Sequence, residues 1–288
     1  MKKSSCERYY DRVAGKYDDS YQTPYWDFYN AVTWHNLKRF LPSLSGSKVL
    51  DIGGGTGLWA LKLAKSGYEV TVADISHKML DTAKDKAEQA GFGSKISFAK
   101  ADICDLSIFE PGLFDLVIAQ GDPLSYCTDA RKAVKEVYRV LKPKGFFISS
   151  VDNKFGGMRV FVNQSAIDEL EQFVRTGKTN WFTRDEEEQY PITYFTPDGL
   201  RKLLANSGFE ILSLIGKVVL PLNSTSEILK DKKVFDRLLK LELKLNSEEA
   251  LLGSAGHLEI VGRKATTDTF AALSTSLHRF HGLDSAQI

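Results

Sequence analysis

The run Val49-Leu50-Asp51-Ile52-Gly53-Gly54-Gly55-Thr56-Gly57 constrains this chain more than any other stretch. Its first four residues read as a buried strand that runs straight into a glycine-rich turn, and a helix follows over about Leu58 to Lys65. Glycine lets a backbone come close to a ligand, and the N-terminus of a helix points unpaired N–H groups at it. A turn of this kind cradles a nucleotide-like cofactor. Gly55-x-Gly57-x-x-Ala60 also matches the dinucleotide fingerprint. Two features count against a dinucleotide. Asp51 lies inside the strand, where such a strand stays apolar, and the motif begins only after a long preamble.

Further strands follow in order. Glu69 to Ile75 reads as the second strand, ending at Asp74. Ile96 to Lys100 leads to Ala101-Asp102-Ile103, and Phe114 to Ala119 ends at Gln120-Gly121-Asp122. Ala133 to Leu141 is an amphipathic helix that Lys142-Pro143-Lys144-Gly145 should stop, and Phe146 to Val151 is the fifth strand. Strands alternating with helices imply a parallel, doubly wound α/β sheet, which binds ligands at the carboxyl ends of its strands. Asp51, Asp74, Asp102, Gln120 and Asp152 all fall at or near those ends.

On these residues the chain resembles the class I S-adenosylmethionine-dependent methyltransferases, whose signature is a strand followed by D-x-G-x-G-x-G. Asp51, Gly53, Gly55 and Gly57 fit it, and the resemblance covers roughly residues 9–264. It implies a seven-stranded, mostly parallel Rossmann-like sheet with helical lid insertions. It also implies S-adenosylmethionine as cofactor and S-adenosylhomocysteine as product. Asp74 would take the ribose hydroxyls, Asp102 the adenine amino group, and Ile103 would lie against the ring. Tyr17, Trp26, Ile75, Met79 and Gln120 complete the implied cofactor set.

Composition excludes several alternatives. Of 288 residues, 43% are apolar, enough for a substantial core. A net charge of +1 gives no global pull toward nucleic acid or anionic membrane. No apolar run approaches the ~20 residues of a membrane span. The first residues carry no apolar segment behind their lysines, so no signal peptide is expected. Cys6, Cys104 and Cys127 are unevenly spaced, show no metal pattern and suit a reducing cytoplasm. No metal is expected.

The expected organisation is a helical lid over 1–48, a core over 49–264 with lid insertions at about 153–196 and 221–256, and a tail over 265–288. Phe28 to Leu41 has helical spacing inside a preamble dense in aromatics. Those aromatics are either core or a lid over the cofactor, where a ring face attracts a cation. In the next addition Phe155-Gly156-Gly157 reads as a turn, Ser165 to Thr176 as a helix and Arg184 to Gln189 as a charged loop. Thr196 and Pro197 read as N-cap and first residue of a helix ending near Asn206. Phe209 to Val219 is the sixth strand, and Leu258 to Arg263 the seventh, antiparallel at the sheet edge. Between them, Ser226 to Leu245 reads as one or two helices whose lysines are a solvated face. In the tail, Phe270, Leu273, Leu277 and Phe280 share a helical face, which leaves a frayed end or a docking helix open. A homodimer through the insertions or the tail is one expectation.

The acceptor site is read from two loops. Gln120-Gly121-Asp122-Pro123-Leu124-Ser125-Tyr126 follows the fourth strand, and Asp152-Asn153-Lys154 the fifth. The layout is similar to the glycine and sarcosine N-methyltransferase branch, with departures. Asp122 stands where that branch has Asn, Tyr126 where it has His, and Lys154 where it has Arg. Lysine lacks the bidentate fork for a carboxylate, and Asp122 would favour an ammonium. The implied acceptor is a small molecule, an amine being one such, held by Asp122, Tyr126, Asn153 and Lys154. Tyr17, Asp122 and Tyr126 are the catalytic candidates. His257, just before the last strand, is either a base facing the pocket or a satisfied surface histidine. The alternative acceptors are tRNA and a protein side chain.

Overall fold

The computed structural model describes residues 3–43, 46–181, 183–223 and 225–265. The readings of the tail, Phe270, Leu273, Leu277 and Phe280 among them, lie outside the described residues. Seven strands make one sheet: β1 (Lys48–Ile52), β2 (Glu69–Asp74), β3 (Ile96–Lys100), β4 (Phe114–Ala119), β5 (Leu141–Asp152), β8 (Phe209–Lys217) and β9 (His257–Lys264). Two short strands, β6 (Lys178–Asn180) and β7 (Pro191–Thr193), form a separate ribbon. The helices are α1 (Ser5–Val13), α2 (Pro24–Arg39), α3 (Leu58–Lys65), α4 (His77–Gln89), α5 (Pro123–Tyr126) and α6 (Ala130–Val140). They continue with α7 (Lys154–Asn163), α8 (Ile167–Thr176), α9 (Pro197–Ala205) and α10 (Lys232–Leu245).

The strand order is β3-β2-β1-β4-β5-β9-β8. β1 to β5 pair in parallel, and β9 is antiparallel to both β5 and β8. Both faces of the sheet are covered, so its inner strands are apolar almost throughout. One face packs Leu50, Val117 and Phe147 with Val134 and Val137 of α6 and Leu200 of α9. The other packs Val49, Leu116 and Ile148 with Leu63 of α3 and Leu37 of α2. Chain order reverses between β1 and β4, which opens the crevice where such sheets take ligands.

Several sequence expectations are corrected here. The last strand is not at the edge: β9 lies between β5 and β8, and β8 is the edge strand. Helix α6 starts earlier than its apolar face suggests because Asp129 caps it, accepting from the Arg131 and Lys132 amides. Lys142-Pro143-Lys144-Gly145 does not separate helix from strand; β5 begins at Leu141 and crosses it with a register shift against β4. Helix α2 likewise starts early, capped by Thr23 with Pro24 in its first turn.

Gly156 and Gly157 make no turn but lie inside α7, whose N-cap is Asn153. Their small size serves packing. A Cβ at Gly156 would sit 2.3 Å from the Ala255 carbonyl oxygen, and one at Gly157 2.7 Å from the Tyr194 ring. The insertion between β8 and β9 holds a short 3-10 turn, Glu227–Lys230, then α10 and a second 3-10 turn, Glu249–Ser254. Buried Glu242 fastens α10 to the sheet by accepting from the Val219 and Leu220 amides at 2.8 and 3.0 Å.

Candidate active site

Three glycines shape the turn after β1, each in the left-handed region that glycine tolerates. Gly53 passes so close to α5 that a Cβ would lie 2.4 Å from Pro123 Cγ. Gly57, which caps α3, leaves only 3.2 Å to Ala83 Cβ. Gly55 faces open space, with nothing within 4 Å of its Cβ position.

The end of β2 holds this turn in place. Gly53 N–H donates to the Ala73 carbonyl at 2.7 Å. Gly55 N–H donates to Asp74 Oδ2 at 2.9 Å, and Ser76 N–H to Asp74 Oδ1 at 2.8 Å. Burial pushes the Asp74 carboxyl up to about 6 against the pull of those two hydrogen bonds. Asp51 lies beneath the turn, fully buried, with no hydrogen-bond partner on either carboxylate oxygen. Burial, with the Asp74 charge added, pushes it up to about 7.

A cavity of about 250 Å³ opens over the turn, at the carboxyl ends of β1, β2 and β4. Its floor includes Gly53, Gly55, Asp74 and Ile75, and one wall is Met79, Asp102 and Ile103. Gln120, Gly121 and Tyr126 form the far side. Tyr10, Tyr17 and Tyr190 line it from above. The cover is tied down at both ends. Arg12 of α1 grips buried Glu188 at 2.7 and 2.8 Å, and Ser76 Oγ–H donates to Asp11 at 2.6 Å.

Beyond Tyr126 lies a second polar cluster. Asp122, which caps α5 from a left-handed conformation (φ 66°), and Asp152, the last residue of β5, both point at His257. His257 Nε2 is 3.4 Å from Asp122 Oδ2 and 3.7 Å from Asp152 Oδ1. Ser150 fixes the loop by accepting from the Gly121 and Asp122 amides. Burial and the Asp122 charge hold the Asp152 carboxyl well above the usual carboxylate range, against hydrogen bonds from Tyr126 and Ser125. Burial lowers His257; Asp122 opposes the shift and Lys217 adds to it.

Behind the cluster, Lys217 is buried in contact with Gln120 Oε1 at 2.9 Å and Glu259 at 3.6 Å, and 4.2 Å above the Tyr29 ring centre. Because Gln120 gives its oxygen to Lys217, its amide nitrogen is left buried without a partner, on a residue that lines the cavity.

Of the residues singled out by sequence, the cavity brings together Tyr17, Gly53, Gly55, Asp74, Ile75, Met79, Asp102, Ile103, Gln120 and Tyr126. Asp51 and Gly57 support the turn without lining the cavity. Trp26 packs edge-on against Tyr21, Tyr25 and Tyr29 and stays outside the lining. Asn153 and Lys154 are placed elsewhere. The Asn153 amide donates to the Leu252 and Ala255 carbonyls, and Lys154 Nζ donates to the Val174 carbonyl at 2.7 Å. Both are taken up by backbone, so the expectation that they hold substrate is dropped. Spacing alone shows no metal-like cluster, yet Asp122, Asp152 and His257 each place a ligand atom within 4.8 Å of the others.

Sequence reasoning missed Tyr10, Tyr190, Ser150, Lys217 and Glu259. A signal existed for the last two: each is a charged residue inside an apolar strand run. Nothing local marks Tyr190.

The sheet order, the glycine turn tied to an acid at the end of β2, and the cavity above them suit a nucleotide-like cofactor. The comparisons agree. Residues 49–145 match the model of a methyltransferase-domain family. The tRNA 5-carboxymethoxyuridine methyltransferase of Escherichia coli (strain K12) is 25% identical over 261 residues, 90% of this chain and 97% of that protein. The ubiquinone/menaquinone biosynthesis C-methyltransferase UbiE of Rickettsia felis is 31% identical over 189 residues, 62% of this chain and 73% of that protein. A SAM-dependent methyltransferase structure from Methanosarcina mazei superposes with a TM-score of 0.57 at 21% identity, covering 80% of this chain and 97% of that one. The chain belongs to the class I S-adenosylmethionine-dependent methyltransferases, and S-adenosylmethionine is its cofactor. No relationship to the glycine and sarcosine branch in particular emerges. Among the described residues, no helix is long and apolar enough to cross a membrane.

Proposed function

We propose that this enzyme methylates the nitrogen of a small amine held by Asp122 and Asp152, beyond Tyr126 from the cavity. The observation that carries the reading is the pair Asp122 and Asp152. Both carboxylates are buried, and among the described residues neither has a lysine or arginine within ion-pair distance. Burying carboxylates without a cation is costly, and a cationic ligand offsets that cost. Tyr126 lines the cavity and hydrogen-bonds Asp152, so the acids stand one ring away from the pocket.

The residues present fit the cofactor. The open face at Gly55 and the unpartnered amide of Gln120, both in the cavity lining, are features a polar ligand would use. In this reading Asp74 holds the ribose, Asp102 and Ile103 the adenine, and Ile75 and Met79 the flanks. Gln120 and Tyr17 attend the charged end. When bound, the cofactor supplies a methyl carbon already activated by a positive sulfur. The chain then has to orient the acceptor in line and exclude water, and proximity alone can contribute on the order of 7–11 kcal/mol. In this reading residues 3–43 and the insertion at about 153–196 act as the lid, through Tyr10, Tyr17 and Tyr190, while α10 of the insertion at about 221–256 packs on α2.

Free Cys6, Cys104 and Cys127 suit a reducing cytoplasm. A second copy pairing on α7 and α8, where Val160, Val162, Ile167 and Val174 are exposed, is part of the proposal; sedimentation velocity tests it. The experiment for the acceptor is S-adenosylhomocysteine release by the purified enzyme with ethanolamine, histamine, putrescine and sarcosine, using thiols and carboxylates as controls. Release with an amine alone supports the reading, and release with controls alone overturns it.

A second reading, methylation of tRNA, is favoured by one observation: the match to a tRNA methyltransferase spans 97% of that relative. The net charge of +1 argues against it, since phosphate contacts dominate such binding. Transfer of labelled methyl to unmodified tRNA, with salt-dependent binding, tests it.

A further inference from the structure

We propose that His257 is the proton acceptor of this methyl transfer, with Asp122 and Asp152 as the carboxylates that orient it and hold the charged acceptor. The inference rests on the amine reading above and adds to it the residue that makes the nitrogen nucleophilic. An ammonium has no lone pair, so a base must act before methyl transfer.

The geometry decides which ring nitrogen serves. His257 Nε2 faces one oxygen of Asp122 at 3.4 Å and one of Asp152 at 3.7 Å. With its hydrogen on Nε2, toward Asp122 at 3.4 Å, the neutral ring keeps its lone pair on Nδ1. Nδ1 is shielded from solvent and has no partner among the described residues. Asp122 Oδ1 and Asp152 Oδ2 are also buried without partners. The cluster thus holds three unpartnered acceptor atoms, the number of N–H groups a primary ammonium offers.

The groups facing His257 come from every element packed on it. Asp122 precedes α5 and Asp152 ends β5. Tyr29 of α2 lies edge-on at 5.4 Å between ring centres. Lys217 of β8 pairs across the ladder with His257 itself, and Glu259 follows two residues on. Lys217 and Glu259 face each other at 3.6 Å, so the charges nearest the imidazole from the sheet side largely offset. Burial keeps the ring neutral at pH 7, which is the form that can take a proton.

The step balances. The ammonium gives one proton to Nδ1, and its two remaining N–H groups stay with Asp122 and Asp152. With the cofactor bound, the freed lone pair, turned from Nδ1 toward the methyl carbon, would form the N–C bond as the C–S bond breaks. Sulfur keeps that electron pair, S-adenosylhomocysteine leaves, and the imidazolium releases its proton to water.

The test uses the full-length enzyme and the amine from the panel above with the highest turnover. His257→Gln should lower kcat at pH 7 by about 10²- to 10⁴-fold. Its calorimetric affinity for S-adenosylhomocysteine should stay within twofold of wild type, which also reports that the variant is folded. Wild-type kcat should rise with pH through the His257 ionisation, followed separately by NMR titration of the ring on unsubstituted protein, and then level off. The variant should lose that inflection and climb steadily as the free amine deprotonates. Amine methylation by wild type with an unchanged His257→Gln rate and pH profile overturns the role of His257 alone. A wild type that methylates no amine overturns the amine reading and this inference with it. Loss of turnover on chelation, restored by manganese or zinc, would reassign the three residues to a divalent cation and also overturn it.

Discussion

Gly55 N–H donates to the Asp74 carboxylate at 2.9 Å, tying the open face of the glycine turn to the end of the neighbouring strand. The same carboxylate takes the Ser76 amide, so it is fixed in place before any ligand arrives. Asp74→Ala removes both supports and the group assigned to the ribose. Hydrogen bonds to charged groups contribute about 1.5–3 kcal/mol each. We expect S-adenosylhomocysteine affinity to fall roughly 10- to 100-fold by calorimetry, which converts to about 1.4–2.8 kcal/mol. An unchanged Kd would remove Asp74 from the site.

Asp51 and Asp74 also set a pH dependence. Both have folded-state values raised above the ordinary 3.8, to about 7 and about 6. A raised carboxyl means the folded state binds the proton more tightly than the unfolded chain does. The stabilisation is therefore complete below about pH 4 and is lost as pH rises through about 6 to 7. We expect the ligand-free protein to show a contribution from these two groups that favours folding as pH falls from 8 to 5. Asp51→Asn should flatten that slope in thermal melts recorded across the range. An identical slope in the variant would contradict the assignment.

Arg12 and Glu188 fasten α1 across the cavity to the segment before β7. Arg12 is more than half exposed, so its loss should matter more for closure than for global stability. We expect Arg12→Ala to speed proteolysis within residues 3–40 and to weaken S-adenosylhomocysteine binding about 3- to 10-fold, with a melting temperature within a few degrees of wild type. Faster proteolysis without any change in affinity would detach α1 from the site.

Gly156 tests the revised reading of α7. A Cβ there meets backbone atoms of Ala255 and Gly256, which cannot swing aside as a side chain can. Overpacking of this kind costs about 1–3 kcal/mol. Gly156→Ala should therefore lower the melting temperature by several degrees. A neutral result would restore a flexible turn at this position.

What could be read from the residues alone was whatever local chemistry dictates. Asp51, Gly53, Gly55 and Gly57 specify a turn that few backbones can make, and Thr196 with Pro197 specifies a helix start. Elements whose ends depend on capping were placed two to four residues off. The Thr23 and Asp129 side chains, rather than the apolar faces, decide where α2 and α6 begin. Gly156-Gly157 looks like a turn because glycine has two uses, and only the neighbours Ala255 and Tyr194 show that close packing is the one in force. Asn153 and Lys154 were drawn in by position after a strand, and tertiary backbone acceptors claimed them. The convergence of Asp122, Asp152 and His257 joins positions up to 135 residues apart (257 − 122), which no local pattern encodes.

The central claim is that Asp122 holds the positive charge of the acceptor and leaves the cofactor alone. Steady-state kinetics of Asp122→Asn with the preferred amine, beside calorimetry with S-adenosylhomocysteine, test it most directly. The expected result is a KM for the amine raised about 10- to 100-fold, the scale of a lost charged contact, with cofactor Kd within twofold of wild type. A weakened cofactor Kd with an unchanged amine KM would contradict it.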